Sequence, residues 1–144
     1  MKTKIPLWIN ILQGVLILIM FSQVYQFLLD HKAVIASGIT IETIADYNLA
    51  YEFAARTAVM AIVSIVIMIS KDIKLFLVMF IMNILREGFE TIIDPLFPLI
   101  NAPASPTMDL IIHLVIVGIE LLAFIKLYKM YKSVKEKSIE VHSS

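Results

Sequence analysis

The sequence predicts an all-α fold: an integral membrane four-helix bundle with its N- and C-termini cytoplasmic. Three observations predict it. Of 144 residues, 60% are hydrophobic, in runs too long for a soluble domain of this length. The polar residues that interrupt those runs recur at helical spacing. The lysines gather on one side of any four-span arrangement. The chain is then a single transmembrane domain, 1–144, with spans at about 5–29, 46–70, 75–94 and 107–128 and a basic cytoplasmic tail over 129–144.

Composition narrows the chemistry. Twelve basic residues balance twelve acidic ones, so net charge points to no nucleic-acid partner. No cysteine is present, which removes disulfides, thiolate catalysis and cysteine-ligated metals.

The first span follows Lys2 and Lys4, and Pro6 suits a helix start. The stretch has features of a secretory signal peptide, with Val34-Ile35-Ala36 resembling a cleavage site. Its apolar run is longer than a signal core, however, and Asp30-His31-Lys32 stands before the cut. It is read as a retained transmembrane helix. Ser22, Gln23 and Gln26 lie near its far end, as interfacial groups or as part of a polar interior. The connection from Asp30 to Ala45 mixes charge with Ile39, Ile41 and Ile44, a pattern for a short surface helix. Thr43-Ile44-Ala45-Asp46 fits a capping box that would start the second span.

That span is almost wholly apolar from Val59 to Ile69. Its first half carries Asn48, Glu52 and Arg56 one turn apart, with Glu52 and Arg56 in the favourable order for an intrahelical pair. Lys71-Asp72-Ile73-Lys74 makes a tight basic turn. The third span opens with an unbroken apolar run from Leu75 to Met82. Asn83, Arg86, Glu87, Glu90 and Asp94 then share one helical face. A charge at the bilayer centre costs about 2.5–3.5 kcal/mol, while a Leu, Ile or Phe returns only about 0.3–0.6 kcal/mol. Other helices or water must therefore meet this stripe. Arg86 and Glu90 form a further i, i+4 pair, and Arg86 is expected to reach Glu52 or Glu120 as well.

Four prolines between Pro95 and Pro106 forbid a regular helix there and mark an apolar connecting loop. In the fourth span Asp109, His113 and Glu120 again share a face. Beyond it Lys126, Lys129, Lys132, Lys135 and Lys137 alternate with Tyr128 and Tyr131. This is an interfacial anchor whose lysines can snorkel toward membrane lipids. The chain from Ser138 onward is expected to fray.

Four spans place nine lysines on the side of the termini and leave only Lys32 on the other. By the positive-inside rule the termini are cytoplasmic, in the cell (inner) membrane. The charged segments of the second, third and fourth spans then lie at one depth, in their outer halves. The economical arrangement is a polar, wet cavity open to the outside and closed below. The residues expected to line it and bind a ligand are Glu52, Arg56, Arg86, Glu87, Glu90, Asp94, Asp109, His113 and Glu120. Two arginines face a surplus of carboxylates, which need protons, a bound cation or water. His113 could be oriented by Asp109 one turn away. Glu120, alone between Leu114 and Phe124, is a candidate proton carrier or general acid.

No metal site and no cofactor are expected. The cavity holds one histidine, and Glu87 and Glu90 lack the helical Glu-x-x-His pattern of di-iron bundles. No Gly-rich phosphate loop or nucleophile elbow is present.

The order of Arg56 in Phe53-Ala54-Ala55-Arg56, Asp94 ending the third span and His113 in the fourth resembles the DoxX-like superfamily of small four-helix bacterial membrane proteins. The resemblance covers the second to fourth spans and implies a fold and a membrane location more than an activity. The layout is similar, more distantly, to membrane sterol isomerases, whose helices enclose a cavity with acidic residues. Two functions follow. The first is binding of a small molecule, lipid or ion, as a carrier, sensor or accessory subunit. The second is an enzyme acting on a lipid or quinone, with His113, Glu120 or Glu87 in acid–base chemistry. Transport by so short a chain would call for a homo-oligomer.

The topology is directly testable. Ser37→Cys should react with an impermeant thiol reagent from outside, and Ser138→Cys only after permeabilisation. The reverse pattern would place the cavity on the cytoplasmic face.

Overall fold

The computed structural model describes residues 4–97 and 105–143. Among them are five helices and no β-strand: α1 (Leu7–Leu29), α2 (His31–Ala36), α3 (Ile44–Ser70), α4 (Ile73–Leu96) and α5 (Pro106–Ser143). The four long helices cover the four segments read as spans, α5 extending well past 128, and α2 is the short helix of the first connection. Three of them, α1, α3 and α5, are long and apolar enough to cross a membrane. The fourth, α4, has 24 residues, but Lys74, Arg86, Glu87, Glu90 and Asp94 set its composition apart.

Local chemistry explains the boundaries. At the start of α3 the capping box is complete. The Thr43 backbone N–H donates to the Asp46 carboxylate at 2.8 Å, and the Asp46 N–H donates to the Thr43 hydroxyl at 3.2 Å. Lys71 ends α3 in the left-handed region, with φ 53°. Asp72 then caps α4 by accepting from the Lys74 N–H at 2.9 Å. So short a turn makes α3 and α4 antiparallel neighbours.

Two expected boundaries need correction. The helix of α4 continues through Pro95 to Leu96, where the loop was expected to begin. A proline in the last turn removes only one hydrogen bond, so the helix tolerates it there. Likewise α5 does not fray at Ser138 but runs to Ser143. The remainder of the expected proline-rich loop, 98–104, lies outside the described residues. Pro106 occupies the first position of α5, where its missing N–H costs nothing.

The long helices pack as two pairs, α1 along α3 and α4 along α5. At one end the pairs share a core, in which Ile9, Ile67, Ile73, Phe76, Phe80 and Leu127 are buried together. Ile9 near the start of α1 and Ile67 near the end of α3 share this core, so that pair is antiparallel. Higher up, Ile17 and Met20 close on Ala61. At the other end α2 and the following loop fold over α1 and α3 through Val34, Ile41 and Ala50. Phe27 meets Phe53 there at 4.6 Å, and the His31 ring stands edge-on to Tyr47 at 5.1 Å.

One polar bond ties the pairs together. The amide of Asn83 on α4 donates to the Gln13 side-chain carbonyl on α1 at 3.1 Å, and both residues are buried. Beyond this bond, toward the α2 end, the pairs enclose a cavity of about 510 Å³.

Gln13→Leu should lower stability by about 1–3 kcal/mol, because it strands the buried Asn83 amide. The double variant Gln13→Leu/Asn83→Leu should recover most of that loss, as read by thermal unfolding in detergent. Equal losses in the single and double variants would show that the amides act only through packing.

Candidate functional site

The polar stripe of α4 meets the polar face of α5. Antiparallel pairing sets Asp94 beside Asp109 and Glu87 beside His113. At the centre is Glu87, only 4% exposed. Its Oε1 accepts a charged hydrogen bond from the Arg86 guanidinium. Its Oε2 lies 2.9 Å from Nδ1 of His113. On the opposite side of the ring, Nε2 lies 3.3 Å from Asp94 and 3.8 Å from Asp109. Glu90 is 3.8 Å from Nδ1. A single imidazole thus has four carboxylates around it, three from α4 and one from its own helix.

Glu120 lies two turns further along the same face of α5 and is fully buried. Neither of its carboxyl oxygens, nor Nε of Arg86, has a hydrogen-bond partner among the described residues. The charges acting on Glu120 are those of Glu87, Arg86 and Glu90. No hydrogen bond among the described residues joins it to the cluster. The carboxyls of Glu87, Glu90, Asp94 and Asp109 thus surround one imidazole, with one guanidinium bound to Glu87.

The cavity lies against this cluster. Glu90, Asp94 and His113 form one wall. Gln23 and Phe27 of α1, with Asp46 and Phe53 of α3, form much of the other. The wall facing His113 is thus mainly apolar or aromatic, with the polar side chains of Gln23, Thr40 and Asp46 set into it.

Seven of the nine expected site residues come together: Arg86, Glu87, Glu90, Asp94, Asp109, His113 and Glu120. Glu52 and Arg56 do not. They pair with each other at 2.7 Å on the outside of α3, where their side chains are 48% and 78% exposed. Asn48 joins them, its amide donating to Glu52 at 3.2 Å. The cavity-facing positions of α3 are Asp46, Leu49, Ala50 and Phe53, out of phase with the 48, 52, 56 row.

Other expected contacts also change. Arg86 bonds its neighbour Glu87 and not Glu90, and it makes no hydrogen bond to Glu52 or Glu120. His113 takes its close contact from Glu87 on the facing helix, with Asp109 farther away. Gln13 carried no distinguishing signal, being a lone amide in an apolar helix. Asp46 was recognised only as a cap, yet it also lines the cavity.

Two sets of ligand atoms have metal-ligand spacing: Glu87, Glu90 and His113, and Asp94, Asp109 and His113, each with atoms within 4.8 Å of one another. No protein-family model, curated protein or solved structure matches the chain.

Glu87→Gln should be the most damaging neutralisation in this cluster. It leaves the partly buried Arg86 without its carboxylate, and breaking a buried pair costs about 3–5 kcal/mol. Glu52→Gln should stay within about 1 kcal/mol of wild type, because its pair is exposed. Thermal unfolding of the two variants in detergent checks this, and equal stabilities would mean that water screens the Glu87 cluster.

Proposed function

We propose that the chain is a multi-pass protein of the cell (inner) membrane that binds a small molecule, lipid or ion in a polar cavity open to the outside. It would serve as a carrier, sensor or accessory subunit. The observation that carries this reading is the cavity of about 510 Å³ walled by Glu90, Asp94 and His113. It joins an acidic, histidine-bearing wall to an aromatic one, a combination suited to a cation or to a ligand with a polar head and an apolar body.

The orientation rests on the lysines. In a four-span arrangement the end holding Lys4, Lys71 and Lys74 is cytoplasmic and the α2 end is outside. Spanning by α4 is supported by its packing along α5, which buries Glu87 and partly buries Arg86, Glu90 and Asp94. Membership of the DoxX-like superfamily belongs to the same reading. Asp94 and His113 support it by standing 3.3 Å apart, whereas Arg56 takes no part in their cluster.

A second reading, acid–base catalysis on a lipid or quinone, draws on the 2.9 Å contact between Glu87 and His113. A buried carboxylate that orients an imidazole beside a cavity is the arrangement a general base needs.

Labelling of Leu49→Cys, a cavity-wall position, tests the binding reading. An impermeant maleimide should reach it from outside in right-side-out vesicles. Membrane lipid extract, organic amines or divalent cations, added singly, should slow the reaction in at least one case. Asp94→Asn in the same background should remove that protection. An unchanged rate under every addition would overturn binding, and reaction only from the cytoplasmic face would overturn the orientation.

A further inference from the structure

The two nitrogens of His113 are not equivalent. Nδ1 is 2.9 Å from a carboxylate oxygen of Glu87, a hydrogen-bonding distance. Glu87 is in turn buried and held by Arg86. An ionised Glu87 can only accept, so the proton of a neutral imidazole belongs on Nδ1. The Nε2 lone pair is then free and faces Asp94 at 3.3 Å and Asp109 at 3.8 Å.

The two Nε2 contacts are near the spacing of a coordination shell. Ligands about 2.1 Å from a tetrahedral metal ion stand about 3.4 Å from one another. The ligand atoms of Asp94, Asp109 and His113 all lie within 4.8 Å of each other. Histidines that ligate metals almost always donate their other ring N–H to a carboxylate, carbonyl or water, which fixes the tautomer and the ring. Glu87 occupies that place. The open side of the cluster is the cavity, onto which Asp94 and His113 both face.

A second observation points the same way. Glu120 is fully buried, and both its oxygens lack a partner among the described residues. On α5 it follows His113 by two helical turns. The cluster is therefore acidic beyond what Arg86 can neutralise, and a divalent cation would compensate it.

We propose that Nε2 of His113 and the carboxylates of Asp94 and Asp109 form a binding site for a divalent first-row transition-metal ion at the wall of the cavity. Glu87 is its positioning residue. One imidazole with carboxylates suits zinc, manganese or iron(II), and the nitrogen ligand disfavours magnesium and calcium, which take oxygen shells. Three protein ligands leave a coordination position open toward the cavity, where water or a ligand could bind. The site rests on the binding reading above and gives it a ligand class.

The test uses the full-length protein in lipid nanodiscs, stripped with chelator and titrated with Co²⁺ and then Zn²⁺ against a background of excess Mg²⁺. Wild type should take up one equivalent of Co²⁺ with visible absorption bands, and Zn²⁺ should displace it. Asp94→Asn and Asp109→Asn should each weaken Zn²⁺ binding at least tenfold. Both side chains are well over a third exposed or close to it, at 36% and 44%, so these variants keep the site testable even if His113→Gln does not fold. Where it folds, His113→Gln should lose the Co²⁺ bands, and Glu136→Gln on the distal part of α5 should bind as wild type does.

Wild type that binds no Zn²⁺ above the Mg²⁺ background would overturn the site, as would unchanged binding by both aspartate variants. If Zn²⁺ fails to bind while a lipid or an amine still protects Leu49→Cys from labelling, the metal site falls and the binding cavity stands. If nothing protects that cysteine either, both fall.

Discussion

A buried ionised carboxylate is stabilised by a cation or a hydrogen-bond donor beside it. Glu87 has both: the Arg86 guanidinium on one oxygen and the His113 ring near the other. Much of the α2 end of the α4–α5 pair depends on this contact. It sets the plane of the imidazole, which decides what Nε2 faces. It holds α5 against α4 at a level where the surrounding residues are charged and cannot pack as hydrocarbon. The opposite end of the bundle is held differently, by Phe76, Phe80 and Leu127 in a core shared by all four long helices. Polar pairing at one end and apolar packing at the other leave a cavity of about 510 Å³ between the helix pairs where the charges are.

The legible part of this arrangement was whatever depended on one helix at a time. Asn83, Glu87, Glu90 and Asp94 share a face because a helix repeats every 3.6 residues, and the same holds for Asp109, His113 and Glu120. The Thr43–Asp46 capping box is likewise a local device, readable from four residues. What could not be read was the rotation of each helix about its own axis in the assembly. The 48, 52, 56 row of α3 is as polar as the stripe of α4, yet it faces outward, because Ala50, Ala54, Thr57 and Ala61 are the positions α3 buries. Small residues there admit close approach of a neighbouring helix, a feature that polarity alone does not mark. The choice of Glu87 over Glu90 by Arg86 is also a matter of tertiary packing. So is the bond between Gln13 and Asn83, whose partners are seventy residues apart in sequence.

The outward face of the bundle is broadly apolar. Leu7, Leu18 and Leu29 on α1, Ile69 on α3 and Leu122 on α5 are all largely exposed. Acyl chains would cover such a surface at no polar cost, which accords with three helices long and apolar enough to cross a membrane. The Glu52–Arg56 pair is an exception on this surface. It neutralises itself within one turn.

The length of α5 has a mechanical consequence. Its 38 residues extend about 57 Å at the helical rise, against a hydrocarbon core of about 30 Å. The same unbroken rod carries Asp109 and His113 near one end and the lysines of its last turns at the other. No loop lies between them to absorb displacement. A tilt of α5 about the packed core near Ala123 and Leu127 would therefore swing both ends at once, in opposite directions. Occupancy on one face of a bilayer would be transmitted as leverage to whatever touches the basic end on the other.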